Sequence, residues 1–247
     1  MSHISAKFGQ FQYYDEQLDR PDWKNCDVLD FGGNAGNILR HAGTAIDHRT
    51  YWSLDVSVDS IEQGQQEYPD AHWIFYDRYN LSFNPDGIRG LPIPLENERF
   101  DLILANSVFT HIAPQEMFSL VESLLGLLRA GGRLAFSFIE PNYHSWPDEY
   151  DGNNFKWRLD RINTLGGRLD VPSYLGRAAN AAWFILVDDV DLYIESEQLK
   201  NYPPIYGTSF HVYHAAEFMR QAYPEAIIRA PANREMQHCC ILAKRTP

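Results

Sequence analysis

Three carboxylates and one glycine-rich turn carry the chemistry legible in this chain. Asp30, Asp55 and Asp77 each stand at the end of a short apolar run, and Asp30 leads directly into Phe31-Gly32-Gly33-Asn34-Ala35-Gly36. Gly32 and Gly36 can take positive φ without steric cost, and Asn34 between them is the non-glycine type that best tolerates it. Backbone in such a turn can approach a ligand closely, which points to a nucleotide-like cofactor. Carboxylates at successive strand ends would line the carboxyl edge of a parallel sheet, where open α/β folds bind their ligands.

The elements that must position these groups alternate along the chain. Residues 28–31 read as a strand, 37–42 as a helix, and 51–56, 72–76 and 100–105 as further strands, the last apolar throughout and so buried on both faces. Ser57 stands where a helix N-cap belongs, with Asp59 and Glu62 in the first turns. Pro114 opens the best helical repeat, through Phe118, Val121, Leu124, Leu125 and Leu128, and Gly131-Gly132 is expected to end it. A fifth strand over 133–139, a helix over 215–222 and two strands over 226–229 and 239–243 follow, and the leader is helical around 14–18. The expectation is an α/β fold with a doubly wound, mostly parallel seven-stranded sheet, in a single domain over 1–247. Residues 140–210, rich in Tyr, Trp, Asn, Gly and Pro, fit no part of the alternation and read as a substrate cap inserted after the fifth strand.

This ordered set resembles the class I, Rossmann-like S-adenosylmethionine-dependent methyltransferases over residues 28–139 and, more weakly, in the two final strands. The family's first motif reads Leu-Asp-x-Gly-x-Gly-x-Gly; Leu29-Asp30-Phe31-Gly32-Gly33-Asn34-Ala35-Gly36 matches it except at Asn34. The resemblance implies S-adenosyl-L-methionine as cofactor, held by Asp30, Gly32, Gly33, Asn34 and Gly36. It further implies Asp55 at the ribose hydroxyls with Val56 beside it, and Asp77 and Arg78 at the adenine. Asn106 and Ser107 open Asn-Ser-Val-Phe-Thr-His-Ile, which resembles the fourth motif of small-molecule methyltransferases, where cofactor and acceptor meet. A dinucleotide dehydrogenase would carry Gly-x-Gly-x-x-Gly and a pyrophosphate to neutralise, for which Asp30 is poorly placed; a cationic sulfonium raises no such objection.

His111, His144 and His211 are the candidate acid/base or acceptor-orienting groups. His111 follows the fourth motif, and its bland alternative is packing beside Phe109. His144, His211 and His214 lie in or beside the insertion among Tyr143, Trp146, Trp157, Tyr174, Trp183, Tyr206 and Tyr213, a set that suits lid packing or an apolar acceptor ring. No metal is expected, although His211-x-x-His214 approaches a ligand spacing. The charge run Asp188-Asp189-x-Asp191, followed by Glu195 and Glu197, reads as a solvated face.

Composition narrows the partners. The 247 residues are 45% hydrophobic, enough for one full core, and a net charge of −12 opposes binding to a phosphate polymer. The fourth motif also lacks the Asn/Asp-Pro-Pro-aromatic run of base-methylating enzymes, so no nucleic-acid partner is expected. Cys26, Cys239 and Cys240 form no disulfide framework, residues 1–20 lack signal-peptide character, and no apolar run reaches bilayer length. A cytoplasmic protein with no membrane contact follows from these features as an expectation. The expected function is transfer of a methyl group to an O or N atom of a small-molecule acceptor, by a monomer or homodimer. Two alternatives stand beside it: a methyltransferase-like binding protein without turnover, and a nicotinamide-dependent oxidoreductase.

Overall fold

β1 (Val28–Phe31) is buried along its whole length, and the strands on both sides run parallel to it: β2 (Tyr51–Asp55) and β4 (Phe100–Ala105). Parallel strands at the centre of such a sheet are covered on both faces, which is why these runs are apolar almost without interruption. The computed structural model describes residues 9–80, 83–97, 99–112, 114–140, 183–187, 192–195, 210–231 and 237–245. In it β3 (His72–Phe75) extends the sheet beyond β2, and β5 (Leu128–Phe138) extends it beyond β4. β10 (His238–Ala243) enters antiparallel between β5 and β9 (Ile227–Arg229). The order is β3-β2-β1-β4-β5-β10-β9, the mostly parallel seven-stranded sheet expected. Strand order reverses between β1 and β4, and such a switch point opens a crevice at the carboxyl ends of the two strands.

Helices cover both faces. On one, α4 (Pro114–Leu127) and α5 (Ala216–Ala222) bury Leu120, Leu124 and Met219 against Phe31, Ile103 and Phe136. On the other, α1 (Gln10–Gln17) and α2 (Asn37–Ala42) bury Tyr14, Ile38 and Leu39 with Val28, Leu104 and Ala135. α3 (Val58–Glu67) starts at Ser57, whose Oγ accepts the Ser60 amide as the N-cap position predicts.

The structure corrects one boundary. Gly131-Gly132 does not end α4, which stops at Leu127; the chain is already extended from Leu128, because Leu128 pairs with Phe100 across the β4 ladder. The glycines instead serve close contact inside β5. A Cβ on Gly132 would lie 2.9 Å from the Phe100 carbonyl oxygen, and the Gly131 amide and Gly132 carbonyl bond to Lys244 beyond β10.

After β5 the regular alternation breaks off. β6 (Trp183–Val187), β7 (Leu192–Glu195) and β8 (Phe210–His214) form a separate antiparallel sheet, in the order β7-β6-β8. Within the segment expected as an insertion, β6 and β7 pair with each other, and β6 with β8, rather than with the main sheet. The His214 amide donates to the Ile139 carbonyl at 2.9 Å and so fastens β8 to the end of β5. The remainder of the expected cap lies outside the described residues.

Leu124 is fully buried in the larger of the two apolar clusters. Leu124→Ala is expected to lower stability by about 2–5 kcal/mol in urea denaturation, with the change confined to the midpoint. A loss below about 1 kcal/mol would show that α4 is not held by this core.

Candidate active site

The turn after β1 is built by φ values that few side chains accept. Gly32 and Gly36 sit at φ 76° and 78°, and Asn34 at 52°. Asn34 turns its own side chain onto the loop, where Oδ1 accepts the Ala35 amide at 2.7 Å, so the residue replacing the family's middle glycine stabilises the turn from within. Gly33 is required for a different reason. A Cβ there would lie 2.8 Å from Asp30 Cγ and 2.6 Å from Ser53 Oγ, so the chain passes directly against the Asp30 carboxylate.

Asp30 is 1% exposed and accepts a hydrogen bond from the Tyr51 hydroxyl at 2.8 Å. Burial pushes its carboxyl up to about 7; the Tyr51 bond opposes this, and the neighbouring Asp55 charge adds to it. Asp55 closes β2 and joins two loops. Its Oδ2 accepts the Asn34 amide and its Oδ1 the Ser57 amide, each at 2.8 Å. Burial raises its carboxyl too, against the amides of Ser57, Asn34 and Val56, which favour the charged form.

Asp77 lies two residues beyond β3, where Oδ1 accepts from the Asn84 amide group at 3.1 Å and the backbone carbonyl accepts the Ile88 amide. It therefore shapes the loop over 77–88. Arg78 is turned towards α4: its guanidinium pairs with Glu116 and bonds to the Leu91 carbonyl. That engagement joins residues 38 positions apart and was not legible in the sequence.

The end of β4 faces the glycine turn. After Asn106 comes Ser107, held at φ 56°, and Val108 follows with its Cγ2 only 2.4 Å from where a Gly32 Cβ would stand. His111 lies in the short turn Phe109–His111, half-buried and edge-on to Phe83 at 5.5 Å between ring centroids. The partner expected from sequence, Phe109, is instead committed to the core beside Phe31 and Phe136.

The structure thus gathers Asp30, Gly32, Gly33, Asn34, Gly36, Asp55 and Val56 at the ends of β1 and β2, with Asn106 and Ser107 at the end of adjacent β4. His144 lies outside the described residues. His211 is within β8, paired through its backbone with Leu186. His214, at the end of β8, is buried with no hydrogen-bond partner for either ring nitrogen among the described residues; burial pushes it down to about 3 and keeps it neutral. Sequence reasoning missed Tyr51, Ser53, Ser137 and Gln237. Each reaches the crevice only through strand pairing, and no local motif marks them. Among the described residues no helix is long and apolar enough to cross a membrane, and no group of three His, Cys, Asp or Glu could hold a metal ion.

A strand-order switch lined by a glycine turn and two strand-end acids defines a Rossmann-like cofactor domain. Residues 29–134 match the family model described as a methyltransferase domain. Over 124 residues, half of this chain, the sequence is 32% identical to the ribosomal protein L11 methyltransferase of Pseudomonas savastanoi pv. phaseolicola, a match that spans 37% of that protein's length. The solved structure of an S-adenosylmethionine dependent methyltransferase from Mesorhizobium loti shares the fold with a TM-score of 0.52 at 15% identity, covering 96% of this chain and 99% of that one. A SAM-dependent methyltransferase from Methanosarcina mazei gives 0.51 at 13%, covering 91% and 94%. Residues 29–134 thus resemble a methyltransferase domain, and the fold is the Rossmann-like one found in S-adenosylmethionine-dependent methyltransferases.

The buried Asp30 predicts a pH dependence. Below its ordinary value of 3.8 the carboxyl is protonated in both folded and unfolded chains and costs nothing. As pH rises towards about 7 the unfolded chain ionises first, so stability falls; above that the penalty is constant. The stability of Asp30→Asn relative to the native chain is expected to increase by up to about 4 kcal/mol between about pH 4 and about pH 8, read from urea melts at both. A difference that does not change with pH would overturn this account.

Proposed function

We propose that this chain transfers the methyl group of S-adenosyl-L-methionine to an O or N atom of a small-molecule acceptor. The observation that carries the reading is the pair of buried acids, Asp30 and Asp55, set around a positive-φ glycine turn at the switch point. With Arg78 paired to Glu116, the first two strand ends present carboxylates, which suit a cationic sulfonium and oppose a pyrophosphate. Asp55 keeps further lone pairs beyond its two amide bonds for ribose hydroxyls. Gly32, Gly33, Asn34 and Gly36 give the close backbone approach, Val56 and Asp77 flank the adenosyl part, and Asn106 and Ser107 face it from β4.

The bound cofactor supplies an electrophilic methyl carbon on a positive sulfur. The residues of this chain hold the acceptor in line with that carbon, exclude water, and take the acceptor's proton where one is lost. His111, in the turn that follows β4, is the first candidate for that proton; His144 lies within, and His211 directly beside, the segment over 140–210 that we assign to the acceptor as a cap within a single domain. The aromatic content of that segment and the net charge of −12 favour a small apolar acceptor over a nucleic acid. A protein acceptor is the second reading, favoured by the name of the Pseudomonas relative.

Calorimetric titration with S-adenosylmethionine and S-adenosylhomocysteine is expected to show saturable binding of both, weakened at least about tenfold in Asp55→Asn. No heat with either compound would overturn the reading. Incubation of cell extract with methyl-labelled cofactor then separates the acceptors: label in the small-molecule fraction supports the proposal, label in precipitated protein supports the second reading, and binding without transfer marks a protein that has lost turnover.

A further inference from the structure

Ser107 is a non-glycine residue in the left-handed region, at φ 56°, at the point where the chain leaves β4 for the crevice. Such a backbone persists only where its surroundings over-determine it. Here they do. The Ser107 amide donates to Ser137 Oγ on β5 at 2.7 Å, and Ser137 Oγ donates in turn to Gln237 Oε1 at 2.6 Å. The Gln237 amide nitrogen closes the ring by donating to Ser107 Oγ. The Ser107 carbonyl accepts from Thr110 Oγ1 at 2.7 Å, so every polar atom of Ser107 is engaged.

Gln237 is itself anchored, through the Tyr13 hydroxyl on α1 to its carbonyl at 3.2 Å. It lies immediately before β10, which runs antiparallel to β5, so that His238 stands opposite Phe138 and Gln237 reaches Ser137. Ser137 is fully buried and Ser107 and Gln237 are half-buried, so the ring is closed to water on its β5 side. What the ring fixes is adjacent to the glycine turn. With Ser107 held, Val108 is pressed against Gly32, in the space that a Cβ on that glycine would need.

We propose that Gln237 is a positioning residue for the cofactor turn: by bridging Ser107 and Ser137 it holds the end of β4 in a left-handed conformation that seats Val108 on Gly32. The proposal rests on the methyltransferase reading for its consequence, but not for its geometry. Gln237 touches neither transferring atom and acts wholly through Ser107.

The test compares Gln237→Ala in two backgrounds, the native chain and Ser107→Gly, with S-adenosylhomocysteine as the probe. Glycine adopts the left-handed conformation without support, so it makes the pin unnecessary. Gln237→Ala is expected to weaken binding at least about tenfold in the native background and less than about twofold in Ser107→Gly. Equal losses in both backgrounds, or none in either, would overturn the proposal, because a general structural role would not depend on the residue at 107. A crystal structure of Gln237→Ala gives a readout that needs no cofactor: Ser107 leaving positive φ supports the pin, and Ser107 remaining near its native value overturns it. Failure of the native protein to bind the probe would count against the methyltransferase reading and leave that second measurement to decide this one.

Discussion

The Asp55 carboxylate is the hinge on which the crevice is built. One oxygen takes the amide of Asn34 in the glycine turn and the other takes the amide of Ser57 at the start of α3, so a single buried acid ties the loop after β1 to the loop after β2. The parallel register brings the two loops within its reach, since Phe31 pairs with Leu54 one residue before the acid. Asn34 holds its left-handed backbone partly through this bond. Without the carboxylate two part-buried amides would lose their acceptor, at a cost of about 1 kcal/mol each.

The same packing creates an electrostatic tension. Asp30 and Asp55 are both buried, both raised by burial, and near enough for the charge of one to act on the other. Tyr51 offsets part of this with a single hydrogen bond. Ionising both carboxyls in such a site costs stability, and a ligand carrying positive charge offsets that cost. Stability and cofactor chemistry are therefore coupled through the same two side chains.

The two sides of the crevice are held by different means. On the side of β1 and β2, backbone amides converge on carboxylates. On the side of β4 and β5, neutral hydroxyls and one amide side chain close a ring around Ser107. The second arrangement draws on parts of the chain far apart in sequence, from Tyr13 on α1 to Gln237 before β10, so the C-terminal strands help to shape the site as well as complete the sheet. β8 is joined at the same edge, through the His214 amide on Ile139.

Local pattern determined much of this protein. The strands at 28–31 and 100–105, the helix at 37–42, the Ser57 cap and the positive φ of Gly32, Asn34 and Gly36 all follow from side-chain type and spacing, because each depends on neighbours a few residues away. The acids at strand ends were legible for the same reason. What needed the folded chain was every choice between competing partners. Leu128 left its helical repeat for a ladder with Phe100, Arg78 found its partner in Glu116 on α4, and Gln237, in no motif, became a neighbour of Ser107 only when β10 paired with β5. Such contacts join residues dozens to more than a hundred positions apart. Their energies depend on strand register and burial, which are properties of the assembled sheet rather than of any short stretch of sequence.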